Sequence, residues 1–469
     1  MLDHDFMNVQ VSQTQSALQA QGKQLRQTVP FDNLATYHKV DRNPLTYMKH
    51  VSQLLVPDLV PLREQRMAAN IFAFYRGTDE LMDNDLDSQA ATKIQAVICG
   101  DAHIANFGFY ASPERQLLFD LNDFDESTVG SWEGDLRRFL VSILLEGQVH
   151  GFKEKKVLKA VKDACANYRA GLIAMMNQST LDRFYPANDV RSVVDKLPLK
   201  ADGKQLLHHI VDKATKQTSE EVVRKFTTLD RNGNLVFQEN PPRSVRVDET
   251  TQQQLTQGLQ DYRKTVRTDV ALLLSQYHIT DIERHSVGVG SFGTLCYLVL
   301  LTATDGSHLV LQLKEALPTW KQSGQTTQKL TAASEYSQGK RIVDCQKILQ
   351  SAWDPFLGYF KAGNKSFYVR QFRDMKESVK LQDLTWDEYK AYTGVCAWIL
   401  ATAHAQSPTA AMIRGYVGHS NKFDEAMVAW SKSYTKQVQQ DYRTWLKAMP
   451  KSVQQCAPKQ VIDELGANH

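Results

Sequence analysis

Hydrophobic positions follow two different rhythms along this chain, and the change from one to the other divides it. From Arg63 to Leu86 apolar residues recur at helical spacing, interrupted by Arg66, Arg76 and Gly77. The run IQAVIC (94–99), bounded by Gly100 and Asp101, predicts a buried strand that ends in a polar loop. Gln116 to Phe119 predicts a second strand after a Pro113-Glu114 turn, and it leads into Asp120, Asp123, Asp125 and Glu126. Residues 132–150 predict a helix. From 151 to 280 helical periods with charged faces dominate, broken by DRNGNLVFQENPPRSVRV, whose turn residues and short β-prone runs predict an irregular excursion and where Pro241-Pro242 disfavours a helix. After Arg284 the pattern becomes strand, glycine turn, strand. Two β-prone runs joined by Asp305-Gly306 predict a hairpin, and KSFYVRQF (365–372) predicts a further strand. Helices are predicted around Gly339 to Ala352, in TWDEYKAYTGVCAWILATAHAQS, and from Asp424 to Trp445. No internal repeat is present.

These periods predict an α+β protein in four parts: a leader with a peripheral helix (1–60), a mainly helical segment that carries the 99–126 loops (61–280), a small antiparallel β-rich lobe (281–380), and C-terminal helices that pack back on the helical part (381–469). A length of 469 residues agrees with two lobes rather than one. The net charge of +3 predicts no strong global attraction to nucleic acid or to an anionic membrane. Apolar runs such as Cys296 to Leu301 are too short to cross a bilayer. The opening MLDHDFMNVQ lacks the basic and apolar regions of a secretory leader. Six cysteines lie far apart with no CxxC pair, which argues against a zinc knot and fits a reducing compartment, so cytoplasm is the expected location.

Two constellations carry candidate chemistry. In the first, Asp101 and Asn106 share one loop, and Asp123 follows from the next strand. Oxygen donors in this arrangement suit Mg²⁺, which takes one or two carboxylates together with waters and substrate phosphates. Asn106 and Asp123 would hold the metal, leaving Asp101 to accept the proton of an attacking hydroxyl. His103 either braces the loop or carries a proton. In the second, Gly288, Gly290, Ser291 and Gly293 lie between two strands, where glycine lets backbone N–H groups approach phosphate oxygens. A strand rather than a helix is predicted after these glycines, which favours a glycine-rich flap between antiparallel strands over a dinucleotide-binding fingerprint. Lys314 ends the alternation of the next strand and would reach the α- and β-phosphates of a nucleotide. Its acidic partner is not evident: Glu335 and Asp344 do not stand out, and Glu315 would point to the opposite face.

The strings FAFYRG (72–77), CGDAHIANFGFYASPERQLLFDLNDFDES (99–127), VGVGSFGT (287–294), LQLKEA (311–316), YVRQFRDMK (368–376) and ATAHAQS (401–407) together resemble the bacterial DUF2252 family, which is grouped with protein-kinase-like and aminoglycoside-phosphotransferase-like proteins. The similarity runs roughly from residue 40 to 445. It implies a kinase-like, two-lobed fold with Asp101 as the loop aspartate, His103 as the motif histidine, Asn106 and Asp123 as metal ligands, Asp125 as a second or supporting carboxylate, and Asp135 in WEGDL as a buttress of the loop. Cys99 stands where that superfamily often has histidine. The order departs from ordinary kinases, because Gly288 and Lys314 follow Asp101 instead of preceding it. Circular permutation accounts for this. No activation segment follows Asp125, which favours a small-molecule acceptor, with Arg76, Arg370 and Arg373 as candidate anion contacts. The expected activity is ATP- and Mg²⁺-dependent phosphoryl transfer to a small-molecule hydroxyl. Nucleotidyl transfer to a protein, a non-catalytic nucleotide-binding scaffold and nucleotide-free metal-dependent hydrolysis are the alternatives.

Overall fold

The computed structural model describes residues 6, 9–185, 219–286, 293–319, 337–372 and 377–466. Gly288, Gly290, Ser291, Glu335 and Arg373 lie outside them. The chain is a mixed α/β structure with a helical body and a six-stranded antiparallel sheet formed late in the sequence.

The segment from Arg63 to Leu86 forms three helices instead of one: Val60–Ala68, Ile71–Arg76 and Asp79–Leu86. Asn70 breaks the first from the second by capping, its side chain accepting from the Ala73 N–H. β1 (Gln95–Ile98) follows and pairs with β4 (Thr128–Ser131), while β2 (Phe107–Ala111) and β3 (Leu117–Leu121) make a hairpin between them. The helix Trp132–Val149 runs through the middle of the main core and is buried on nearly every side, including Glu133, Asp135, Arg137 and Arg138. Charged groups in such a place require partners, and those of Asp135 and Arg138 are the loop that holds Asp101. The helices Glu154–Met176, Trp386–His404 and Lys422–Ala448 complete this body. The leader is tied into it: Arg42 makes buried ion pairs with Asp85 at 2.6 Å and with Asp441 at 2.8 Å.

β5 (Thr227–Leu229) and β6 (Leu235–Phe237) pair as a small hairpin, and the large sheet has the order β11-β12-β10-β9-β8-β7, where β7 is Ser244–Arg246, β8 Tyr277–His285, β9 Cys296–Ala303, β10 His308–Glu315, β11 Gly358–Ala362 and β12 Lys365–Gln371. Gly306, at φ +84°, turns the predicted hairpin. One face, with Val299, Leu311, Leu313 and Val369, is covered by Leu255, Leu259 and Tyr262 of the helix Glu249–Tyr262 and by Val270 and Leu274 of the helix Thr268–Leu274. The β-rich part therefore begins earlier than the expected 281. Periodicity reveals that a helix has an apolar stripe, not which layer the stripe covers. The opposite face carries Leu298, Leu300 and Val310, and also Lys314. Because both faces are covered, residues 296–301 of β9 read as a continuous apolar run with no alternation.

Candidate functional site

The loop after β1 is held by its own backbone. Asp135 accepts from the Cys99 N–H at 2.7 Å through Oδ2 and from the Gly100 N–H at 2.8 Å through Oδ1. Gly100 has φ +84°, and a Cβ there would lie 2.1 Å from the Glu126 carbonyl oxygen, so only glycine fits. Behind Asp135, Nε2 of His404 lies 3.2 Å from Oδ2, and Nδ1 of the same ring is 2.7 Å from the Tyr168 hydroxyl. Asp135 thus buttresses the loop as its position in WEGDL implied, and the His404 of ATAHAQS supports it. A second contact from this segment reaches β1 itself, where the Ser407 hydroxyl accepts from the Val97 N–H at 2.8 Å.

Asp101 accepts from Arg138 Nε at 2.7 Å through Oδ1. Burial alone would raise its pKa, but the guanidinium outweighs burial and holds the carboxyl below its ordinary value. Asp101 is therefore an ionised, weak base. His103 is different. Burial and the neighbouring Arg76 and Arg138 push its pKa down to about 4, against the opposing pull of Asp101. Its ring is neutral at pH 7, and Arg76 Nε donates to its Nε2 at 3.3 Å. The 3.5 Å separation of Nε2 from Asp101 Oδ2 is then a contact of a neutral ring, not an ion pair. Of the two roles open to His103, its surroundings favour bracing.

Asn106, almost wholly buried, clasps the two acidic turns together. Its Nδ2 donates to the carbonyls of Asp101 and Asp123, each at 2.9 Å, and its Oδ1 accepts from the Asp123 N–H at 2.6 Å. The Cys99 thiol also donates to the Asp123 carbonyl, at 3.2 Å. Cys99, which stands where the resemblance implied a histidine, thus belongs to the same clasp.

The sheet meets this loop at Lys314. Its buried Nζ lies 2.6 Å from Asp125 Oδ2 and 3.5 Å from Asp123 Oδ1, and the Tyr368 hydroxyl donates to Asp125 Oδ1 at 2.8 Å. The acidic partner of Lys314 is therefore Asp125, from a turn 189 residues away in sequence. Asp344 instead pairs with Lys340, and Glu315 with Lys365 on the other side of the strand. Burial would lower the pKa of Lys314, but Asp123 and Asp125 outweigh it and hold the ammonium charged. Asp125 is pushed up by burial and then by Asp123, even with Lys314 beside it. Where an acidic partner from the helix Gln338–Leu349 would be expected, the helix supplies Arg341, which donates to the carbonyls of Asp125, Ser127 and Leu317 and latches the turn to the sheet. Arg370 donates to Gln312 at 2.8 Å and approaches the Asn122 carbonyl at 3.5 Å. Gly293 has φ +115°, and its carbonyl accepts from the Val56 N–H.

Arg138, Arg341, Tyr368 and His404 escaped prediction as site residues. The signal available for the first was an Arg137-Arg138 pair inside a helix otherwise destined for the core. Tyr368 and Arg341 gave none, because their partners are remote in sequence. A cavity of about 520 Å³ opens beside the site and shares Asn122 and Arg370 with it, but Asp101, Asp123 and Lys314 do not line it. The polar cluster, not this cavity, is where the candidate chemistry gathers.

Among the described residues no group of three or more His, Cys, Asp or Glu side chains is arranged to hold a metal. Mg²⁺ asks for less than that, since one or two carboxylates suffice when phosphates supply further oxygens. The Asp123 side chain is 49% exposed and lies beside Asp125, whose raised pKa reflects in part their mutual repulsion. This oxygen-only donor set fits a hard cation. Both Asp125 oxygens are engaged by Lys314 and Tyr368, so Asp123 is the carboxylate better presented to one.

A model of a bacterial family described as uncharacterized conserved proteins, DUF2252, matches residues 55–448, and the chain belongs to that family. No curated protein and no solved structure matches it. No helix among the described residues is long and apolar enough to cross a membrane.

Proposed function

We propose that this chain is a nucleotide- and Mg²⁺-dependent phosphotransferase with a circularly permuted, kinase-like arrangement, acting on a hydroxyl of a small molecule. The observation that carries the reading is the meeting of Lys314 with Asp125 and Asp123 across 189 and 191 residues of sequence. A buried cation beside two carboxylates, one of them half exposed, supplies the opposite charges that phosphate and its metal require together. Permutation is supported by Ser407 and His404. The segment that would lead into the loop in ordinary order lies against β1 and Asp135, although it comes some 300 residues later.

In this reading Asp123 would hold Mg²⁺, joined by Asp125 when Lys314 turns to the phosphates, whereas Asn106, expected as a metal ligand, keeps its Oδ1 on the Asp123 N–H and fixes the turn instead. The ion would screen the phosphates and neutralise charge that develops during transfer. Lys314 grips the phosphates. Asp101 orients the acceptor hydroxyl at Oδ2, the oxygen not bonded to Arg138. As the new O–P bond forms and the bond to the leaving diphosphate breaks, the hydroxyl proton passes to Asp101. With its depressed pKa Asp101 takes that proton late, so positioning is its larger contribution.

The test is calorimetric titration with ATP, with and without Mg²⁺, of the natural chain and of Asp123→Ala and Lys314→Ala. Metal-dependent binding weakened by both substitutions is the expected result, and it warrants a screen of acceptors. A folded protein that binds no ATP under either condition would rule the reading out.

A further inference from the structure

Residues directly opposite in an antiparallel sheet share a face. Glu283 faces Leu298, Leu298 faces Gln312, and Gln312 faces Arg370, which makes one row across β8, β9, β10 and β12. One row further on, Ser244 faces His285 across β7 and β8, and Cys296, Lys314 and Tyr368 face one another across β9, β10 and β12. Glu283 and His285 therefore point to the same side of the sheet as Lys314. They stand two strands from it, about 10 Å at ordinary strand spacing.

These two side chains are buried but not satisfied. Nδ1 of His285 is crowded by the Ser244 hydroxyl at 2.7 Å and Glu283 Oε1 at 3.2 Å, while His285 Nε2 and Glu283 Oε2 have no hydrogen-bonding partner. Buried polar atoms are seldom left so, and two in neighbouring rows on one face mark a place where a ligand group belongs. Between them and Arg370 lies an apolar patch of Leu298, Leu300, Val310 and Phe372. Resting on that patch are Val222, Val223 and Phe226 of the helix Ser219–Phe226, with the Phe226 ring edge-on to His285 at 5.5 Å. The cover is apolar, so it meets the patch and leaves the polar atoms unanswered.

We propose that this part of the sheet face is the nucleoside end of the Lys314 site, that Glu283 Oε2 accepts from ribose hydroxyls while the base rests on the apolar patch, and that the helix Ser219–Phe226 occupies that place until nucleotide displaces it. The inference rests on the nucleotide reading of Lys314 and adds a specificity element and an intramolecular competitor to it.

The full chain is titrated with ATP and with tripolyphosphate, both in Mg²⁺, for the natural protein, Glu283→Gln and Phe226→Ala. Tripolyphosphate reports the Lys314 end alone and should bind all three proteins equally. ATP should bind Glu283→Gln about ten-fold more weakly and Phe226→Ala more tightly than the natural chain, because a competitor has been loosened. Hydrogen exchange of the natural protein supplies a measurement free of folding artefacts: amides 219–226 should lose protection on addition of ATP but not of tripolyphosphate. If both ligands bind with unchanged protection at 219–226, or if ATP shows no preference over tripolyphosphate, the nucleoside end is elsewhere and the inference is overturned. If neither binds, the nucleotide reading fails with it.

Discussion

Two buried ion pairs meet at this site and differ in kind. Asp101–Arg138 joins the loop to the helix that follows it, 37 residues on, and both side chains lie on the helical body. Lys314–Asp125 joins that body to the sheet. In the first, the guanidinium prevails and the carboxyl pKa falls; in the second, burial and a neighbouring carboxylate prevail and the carboxyl pKa rises. The loop pair is thus a settled structural element. The Lys314 pair holds charge under tension between two bodies, and an added cation or a phosphate would change its partners. A loop carboxylate fixed by Arg138 and a buried cation facing it are what a transfer site of the proposed kind needs.

The contrast is open to direct attack. Arg138→Ala should have the largest effect, a loss of about 3–5 kcal/mol in urea unfolding, since Asp101 would be left ionised and buried without its partner. Lys314→Met should cost less, about 1–3 kcal/mol, because Asp125 has a raised pKa and the Tyr368 hydroxyl, and can take up a proton. Equal losses would erase the distinction between the pairs.

Acidification sharpens it. His103 has a folded pKa of about 4, below its unfolded value near 6.5. The unfolded chain then binds the extra proton first, so the contribution is complete above about pH 6.5 and is lost as pH falls toward 4, about 3 kcal/mol in all. His103→Gln should flatten the stability profile over that window. Asp101, depressed as well, keeps its contribution until pH falls below the ordinary carboxylate range. Asp125, raised, has the opposite sign: the folded state holds the proton more tightly, and stability gains as pH falls through its folded pKa. Asp125→Asn should therefore cost less at pH 7 than Asp101→Asn, as unfolding curves at that pH would reveal. Tyr368→Phe should have the smallest effect, about 1.5 kcal/mol for one hydrogen bond to a carboxylate, and should leave the Asp101 loop untouched in hydrogen exchange.

Short local motifs made parts of the site legible. Gly100, Asp101, Asn106 and Asp123 could be assembled from spacing because they lie on one loop and the hairpin beside it, and their mutual bonds are local. The hairpin at Asp305-Gly306 and the capped helix Trp386–His404 were equally readable, since turn chemistry and the Thr385–Glu388 capping box are written in consecutive residues. The helix from Arg63 to Leu86 was overextended because Asn70 competes with helix continuation through a single side-chain bond, which periodicity does not register.

By itself, then, the sequence determined the elements, the loop that carries Asp101 and the family to which the chain belongs. Tertiary structure decided what faces what: that Lys314 meets Asp125, that Arg341 latches the acidic turn, that His404 supports Asp135, and that the helix Ser219–Phe226 covers the face beside Lys314. The physical reason is range. Propensity, caps and turns act over a few residues, whereas a buried charge takes its partner from whatever surface packing brings within about 3 Å, and no local pattern records which surface that is.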